Sequence, residues 1–420
     1  MTAKISKEYA LAKERYSASG VDTGAALKKL KKVSLSLHCW QGDDVSGFEK
    51  EDSALTSGGC LVTGNRFGKA RTPDALRQDL EKALSLIPGK HRVNLHAIYG
   101  DFRFEKSERN EVKRENFTSW VAWAKNKGLK LDFNSTFFSH PKAAEGFTLS
   151  SKDPSIRSFW IEHAKKCRDI SSWFGRSLGG SCVHNLWIPD GMKDLTVDKR
   201  GYRQNLLKSL DSIYAQKFPA GTIKDAVESK LFGIGSESFV TGSLEFYLAY
   251  SLKKNLMLCL DMGHYHPTES VADKISSLLL FQKEILLHVS RGVRWDSDHV
   301  VIFDDNLKEL LFEVKRNDAF ERVCLALDYF DASINRIGAW VIGARATQKA
   351  ILNALLEPTS KLIKVEESGD YFSRLALLEE QKAMPLGAVW NYYCEQEGVP
   401  SGDKWIGEVL AYEKEVLSKR

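Results

Sequence analysis

The stretch LMLCLDMGHYHPTE (256–269) opens with five apolar residues, Leu256 to Leu260, then turns to Asp261 and, three positions on, His264. A strand that is apolar at every position is covered on both faces, as in a parallel sheet wrapped by helices. Polar residues gathered at its carboxyl end mark the end that opens onto a site. Seven other runs have the same character: VSLSLHCW (33–40), RVNLHAIY (92–99), LKLDFNST (129–136), HNLWIPD (184–190), AVESKLF (226–232), EILLHVSR (284–291) and VCLALDYF (323–330).

Helical patterns fill the intervals. The clearest is TPDALRQDLEKALSLIPG (72–89). Thr72 suits the N-cap and Pro73 the first helical position. Leu76, Leu80, Ala83, Leu84 and Ile87 share one face, and Pro88-Gly89 ends the helix. Further helices are predicted over 154–167, 203–217, 239–253, 269–283 and 306–316. Eight strands alternating with helices predict an α/β fold, a closed (β/α)8 TIM barrel over 33–333. An N-terminal helical segment, 1–32, precedes it. A long C-terminal helical extension, 334–420, comes after it and reads as an oligomerisation arm.

The chain has 420 residues, with 60 Lys+Arg against 55 Asp+Glu, a formal net charge of +5. So small an excess argues against a nucleic-acid binder. Hydrophobic residues at 43% and charged residues at 27% exclude disorder over most of the length. No apolar run reaches the roughly 18 residues of a membrane span, and the charged N-terminus has no signal core. The seven cysteines include no CxxC, and four of them (Cys39, Cys182, Cys259, Cys324) lie in strand-like runs. Buried thiols in a reducing, cytoplasmic setting are expected rather than disulfides.

In a barrel the carboxyl ends of all strands meet at one mouth. Seven ligand-type residues would converge there: Glu228, Asp261, His264, His288, Asp296, Asp298 and Asp328. Five are carboxylates, a formal −5 that two divalent cations nearly neutralise. Mixed carboxylate and imidazole donors suit Mn²⁺, Co²⁺ or Zn²⁺. A pair of close ions needs a shared carboxylate, and Asp261 is the choice. Each residue alone has a plainer reading. Asp261, Asp328 and Asp331 could be helix caps, His288 a core histidine, Asp296-Ser297-Asp298 a turn, and Glu228 with Lys230 an internal ion pair. Their joint occurrence at four strand ends favours the metal site. Trp40 and Trp187, also at strand ends, are candidates for an apolar wall. GNRFGKA (64–70) imitates a phosphate loop but is one residue short between its glycines and lacks Ser or Thr after Lys69. The segment from Asp43 to Lys69 is a candidate lid from which Phe67 could project.

The chain resembles the bacterial L-rhamnose isomerases. The resemblance runs through HCWQGDDVSGFE (38–49), GKAR (68–71), NLHAIY (94–99), GFTLS (146–150), WIPDGMKD (187–194), DAVESKLFGIG (225–235), LDMGHYHPTE (260–269), RWDSDHVV (294–301), LDYFDASINRI (327–337) and LLEEQK (377–382). It implies an aldose–ketose isomerase that interconverts L-rhamnose and L-rhamnulose on a homotetrameric barrel with two divalent ions, commonly Mn²⁺, with Zn²⁺, Co²⁺ or Mg²⁺ as alternatives. It assigns His264, Asp296 and Asp298 to a catalytic ion. Glu228, Asp261, His288 and Asp328 go to a structural ion, with Asp261 near both. It puts Lys230 near the sugar's carbonyl end and His96 and Trp187 around the substrate; Lys230, His264, Asp296 and Asp328 are then the candidate catalytic set, and Asp331, at the end of strand eight, joins His96, Trp187 and Lys230 as a candidate sugar contact. Met262 and Tyr265 depart mildly from the family's LDAGHFHPTE. Two other readings of the same residues stay open: a metal-dependent phosphodiesterase, which should show a basic groove, and a non-catalytic sugar-binding barrel, which would need no ions.

Overall fold

The computed structural model describes residues 2–49, 64–103, 107–230, 237–266, 268–293 and 295–420, and the side chains of Trp295 and Asp296 fall outside that description. Eight parallel strands close a barrel: β1 Leu35–His38, β2 Arg92–His96, β3 Lys130–Asn134, β4 Cys182–Leu186, β5 Ile223–Glu228, β6 Met257–Asp261, β7 Ile285–Val289 and β8 Val323–Leu327. Each pairs with its sequence neighbours, and β1 closes the ring onto β8. Each of the eight apolar runs overlaps one of these strands, and six contain theirs whole; β4 and β5 begin ahead of their runs, at Cys182 and Ile223.

Along each strand alternate residues face opposite ways. One parity, including Leu37, Leu95, Phe133, Leu260 and Leu287, packs into the large core under the helices. The other faces the axis, where Val183, Ala226, Met257, Cys259, Leu286 and Ala326 form a small plug. Above the plug, on the same parity, come the polar ends.

Two helices precede the barrel, α1 Ala3–Ala18 and α2 Thr23–Leu30. Eight surround it: α3 Pro73–Leu84, α4 Thr118–Lys127, α5 Pro154–Leu178, α6 Lys199–Tyr214, α7 Leu244–Lys254, α8 Ala272–Leu279, α9 Asp305–Arg316 and α10 Arg336–Leu355. The α3 start is as read: Pro73 is its first residue, and the Thr72 hydroxyl accepts from the Ala75 N–H at 3.1 Å, a cap worth about 1 kcal/mol. Helix α4 escaped the sequence reading, because its short pattern carries Trp120 and Trp123 among polar residues and shows little amphipathicity. Helix α5 runs on to Leu178, well past the predicted end at 167. Its Gly175 lies so close to β5 that a Cβ there would sit 1.9 Å from the Thr222 carbonyl oxygen.

Helix α10 comes directly after β8, has most of its residues buried, and packs against α9, α2 and α3. It is therefore the eighth helix of the ring, although the sequence reading counted it with the extension. Four helices continue the chain beyond it: α11 Thr359–Glu367, α12 Tyr371–Lys382, α13 Leu386–Gln396 and α14 Lys404–Glu415. Helix α13 packs on α1 and α10, and α14 touches α10. Helix α12 buries no residue.

Two short antiparallel pairings were not read from sequence: Gly191–Met192 with Phe239–Val240, which lie far apart in the chain, and the hairpin of Arg291–Val293 with Trp295–His299. The described cysteines are free and all but Cys324 are buried. No helix among the described residues is long and apolar enough to cross a membrane.

Candidate metal centre and active site

The β6 run delivers Asp261 at its last position, in register with His288 of β7. Glu228 ends β5 and Asp328 lies just past β8. All four are buried, and one ligand atom from each lies within 4.8 Å of the others. His288 Nδ1 stands 2.8 Å from Asp328 Oδ2, 3.4 Å from Glu228 Oε2 and 3.5 Å from Asp261 Oδ2. A second group joins Asp261, His264 and Asp298 within the same limit. Asp261 belongs to both groups.

Each side chain is aimed by a neighbour. The Asp261 Oδ1 accepts from the Gly263 N–H at 2.7 Å and the Ser290 hydroxyl at 3.0 Å. Glu228 Oε2 accepts from the Asn185 amide. His264 Nδ1 lies 3.1 Å from the Ser229 carbonyl oxygen, which directs a ring proton there and turns Nε2 the other way. Asp298 sits well beyond the end of its barrel strand, and the hairpin folds it back. Its φ is +38°, and its carbonyl accepts from the Phe330 N–H at 3.2 Å, beside the exit of β8. Asp296 lies in the same hairpin strand, and its side chain is outside the described set.

The electrostatics show a site that gathers positive charge. Burial works against a charged His288, yet Cys259, Glu228 and Asp328 around it hold its pKa well above the ordinary imidazole value. Burial pushes Asp328 up to about 6, against the pull of His288. Burial also opposes ionisation of Glu228, but His288 and His264 hold it well below the usual carboxylate range. Buried carboxylates that recruit a proton onto an imidazole to balance themselves form a donor set fit for divalent cations.

Above this floor lies an aromatic wall. Trp40 stacks on His96 with centroids 4.1 Å apart, and Phe330 meets Trp40 edge-on. The Lys230 ammonium lies 5.0 Å from the Trp187 ring centroid. Buried and without a hydrogen-bond partner among the described residues are His96 Nδ1, Trp40 Nε1, Trp187 Nε1 and His288 Nε2. Donors of this kind around one mouth are positioned for a ligand with several oxygens.

Asp331 is placed differently. Its Oδ1 accepts from the Ser333 N–H at 2.7 Å and from the Ser333 hydroxyl, and its backbone is clasped by Gln41. That carboxylate closes a turn. Lys69 of the mock phosphate loop donates to the Ser46 hydroxyl, Arg66 forms a bidentate pair with Glu413 of α14, and Arg336 donates to the carbonyls of residues 66 and 67. The Arg66 and Arg336 bonds fasten the loop to α14 and α10. Phe67 is about half exposed. Much of the candidate lid, residues 50–63, lies outside the described set.

The sequence reading missed His38, Asn94, Asn134, Asn185 and Ser290. All lie on axis-facing columns, Ser290 continuing the column of Leu286 and His288 one residue past the end of β7. The signal was polar residues at every second position inside otherwise apolar runs, Ser36-x-His38 and Asn94-x-His96 among them.

A family profile described as L-rhamnose isomerase matches residues 3–420. L-Rhamnose isomerase of Listeria innocua serovar 6a is 55% identical over 417 residues, covering 99% of each chain. That of Mannheimia succiniciproducens is 57% identical over 418 residues, again 99% of each. That of Enterobacter sp. strain 638 is 56% identical over 420 residues, the whole of both chains.

Proposed function

The chain belongs to the L-rhamnose isomerase family and is an aldose–ketose isomerase, and from that premise we propose that its barrel mouth interconverts L-rhamnose and L-rhamnulose with two divalent cations. The observation that carries this reading is the pair of overlapping ligand groups sharing Asp261, set directly beneath Lys230, His96 and the tryptophans. Glu228, Asp261, His288 and Asp328 would hold one cation. Asp261, His264, Asp296 and Asp298 would hold the other. Mn²⁺ suits this mixture of oxygen and imidazole donors, and Zn²⁺, Co²⁺ and Mg²⁺ are the alternatives. Bound there, the cations supply Lewis-acid polarisation of adjacent sugar oxygens.

The protein's own groups do the rest. The reaction moves hydrogen between C1 and C2 of the open-chain sugar, and negative charge develops on O1 and O2. The Lys230 ammonium, braced on Trp187, offsets charge at O1. His96 Nε2 faces the Asn134 amide at 3.2 Å, so it accepts and the ring proton sits on Nδ1. Nδ1 is the nitrogen without a partner among the described residues, and it donates to a sugar oxygen. Trp40, Trp187 and Phe330 keep water from the reacting carbons.

The barrel of residues 33–333 would carry the site, with helix α10 completing its ring. The segment 1–32 and the helices beyond α10 would carry the association into a homotetramer in the cytoplasm. The exposed Tyr371, Phe372 and Leu375 on α12, which buries nothing of its own, support an associating arm. Light scattering should then give four chain masses.

The test of function uses L-rhamnose directly. EDTA-treated protein should form no ketose, and Mn²⁺ should restore it. Protein that forms no L-rhamnulose with any of the four metals would contradict the proposal, and turnover unaffected by EDTA would remove the cations from it.

A further inference from the structure

His38 ends β1 with its ring enclosed on the barrel axis. It packs edge-on to His288, centroids 5.1 Å apart, and its carbonyl is held by the Trp340 indole N–H at 2.9 Å. Its two ring nitrogens have different surroundings. Nε2 lies 2.9 Å from the amide nitrogen of Asn94. Asn94 must present that nitrogen, because its Oδ1 accepts from the Asn134 amide at 2.7 Å. An amide NH2 only donates, so Nε2 accepts, and the single proton of the neutral ring sits on Nδ1.

Nδ1 is 3.2 Å from Asp328 Oδ1 and 3.4 Å from His96 Nε2. The Asn134 amide already serves His96 Nε2. Asp328 Oδ1 is a buried acceptor that makes no hydrogen bond among the described residues, so it is open to the proton on the nearby His38 Nδ1, while Asp328 Oδ2 faces His288. One carboxylate thus has an imidazole nitrogen near each oxygen, His38 Nδ1 at 3.2 Å from Oδ1 and His288 Nδ1 at 2.8 Å from Oδ2.

We propose that His38 is a positioning residue for the cation centre: its Nδ1–H, aimed by Asn94, holds Asp328 by Oδ1 so that Oδ2 stays turned toward Glu228, Asp261 and His288. His38, His288 and Asp328 are close enough to be three ligands of one ion. The Asn94 amide decides against that role, since a nitrogen bearing a proton has no lone pair for a metal. The asparagine pair Asn134–Asn94 therefore sets two tautomers at once, giving His96 a proton for the sugar and His38 a proton for Asp328. Partners of metal ligands typically change metal affinity by about 10–100-fold when removed. This inference rests on the two-cation reading, and its test separates the two.

Asn and Gln split the imidazole. The amide of His38→Asn stands where Nδ1 stood and keeps a donor facing Asp328. The amide of His38→Gln stands where Nε2 stood and keeps only the Asn94 contact. Mn²⁺ affinity is read by electron paramagnetic resonance of free Mn²⁺ over EDTA-stripped protein, with the thermal midpoint of each stripped variant beside it. His38→Asn should bind at least about tenfold more tightly than His38→Gln, with similar stripped midpoints. A smaller gap overturns the proposal, as does a gap that tracks the stripped midpoints. Wild-type protein that binds no Mn²⁺ overturns the two-cation reading instead. Should either variant fail to fold, neutron diffraction of the wild-type protein decides. A deuteron on His38 Nδ1 supports the proposal, and one on Nε2 overturns it.

Discussion

The two ends of the barrel interior use charge in opposite ways. At the amino-terminal floor Asp132 is fully matched. It takes both nitrogens of a bidentate Arg92, the Ser36 hydroxyl and the Val183 N–H. Lys224 pairs with Glu284 nearby, and Asp132, Arg92 and Lys224 line a cavity of about 290 Å³. At the mouth Glu228, Asp261 and Asp328 face imidazoles, an amide and a hydroxyl. Buried acids matched by guanidinium build structure, whereas buried acids matched by neutral or titratable donors leave room for a cation. Position on the strand separates the two uses: Asp132 and Asp328 are both acids on axis-facing columns, at opposite ends.

The sharpest way to break this contrast is to remove one acid from each end. Asp261→Asn takes a ligand from both groups and should lower kcat/KM for L-rhamnose at least a thousandfold, about 4 kcal/mol, while circular dichroism stays native. Asp132→Ala strands the Arg92 charge and should cost about 3 kcal/mol of stability in urea unfolding, with kcat/KM per folded molecule changed little. If Asp132→Ala lost activity without stability, the two ends would not differ in kind.

Metal sharpens the contrast further. Mn²⁺ at a hundredfold excess over Kd should stabilise the EDTA-stripped protein by about 2.7 kcal/mol for each of the two sites filled, raising its midpoint by about 3 °C per site for a chain of this length. Asp261→Asn should show a much smaller rise and Asp132→Ala the full one.

The smallest effect separates a mouth histidine from a core one. His163 is enclosed under the helical layer. Its Nδ1 donates to the Arg109 carbonyl at 2.7 Å, and its Nε2 accepts from the Thr136 N–H at 3.0 Å. Burial, and then Arg109, lower its pKa to about 3. The unfolded chain takes up a proton near pH 6.5 that the folded protein refuses until about pH 3. Its contribution to stability is therefore whole above pH 6.5 and declines as pH falls toward 3. Between pH 7 and 5 the loss should be about 2 kcal/mol, seen as a shift of the urea midpoint. His163→Gln should flatten that slope, and an unchanged slope would mean that His163 is not held neutral.

The barrel was legible because continuous apolar runs cannot sit anywhere but between two covered faces. The ring of ligand-type residues was legible because parallel strands bring all their carboxyl ends to one side. The structure brings Asp298 close to Asp261 and His264 through a hairpin that was not read, since alternation over three residues is too short to signal a strand. Helix α10 was assigned to the extension because sequence does not say where a helix packs. Asp331 carried the same signature as Asp328, and the structure sets its Oδ1 in a turn with Ser333, which sequence does not show. His38 and Asn94 escaped because their function depends on which nitrogen meets which amide, a matter of three-dimensional register that no spacing encodes.

The most direct test of the central claim is anomalous diffraction at the manganese edge from crystals of EDTA-stripped protein soaked in Mn²⁺. Two peaks per chain are predicted, one enclosed by Glu228, Asp261, His288 and Asp328 and the other beside Asp261, His264 and Asp298. No peak at the mouth, or peaks confined to the floor cavity around Asp132, would contradict it.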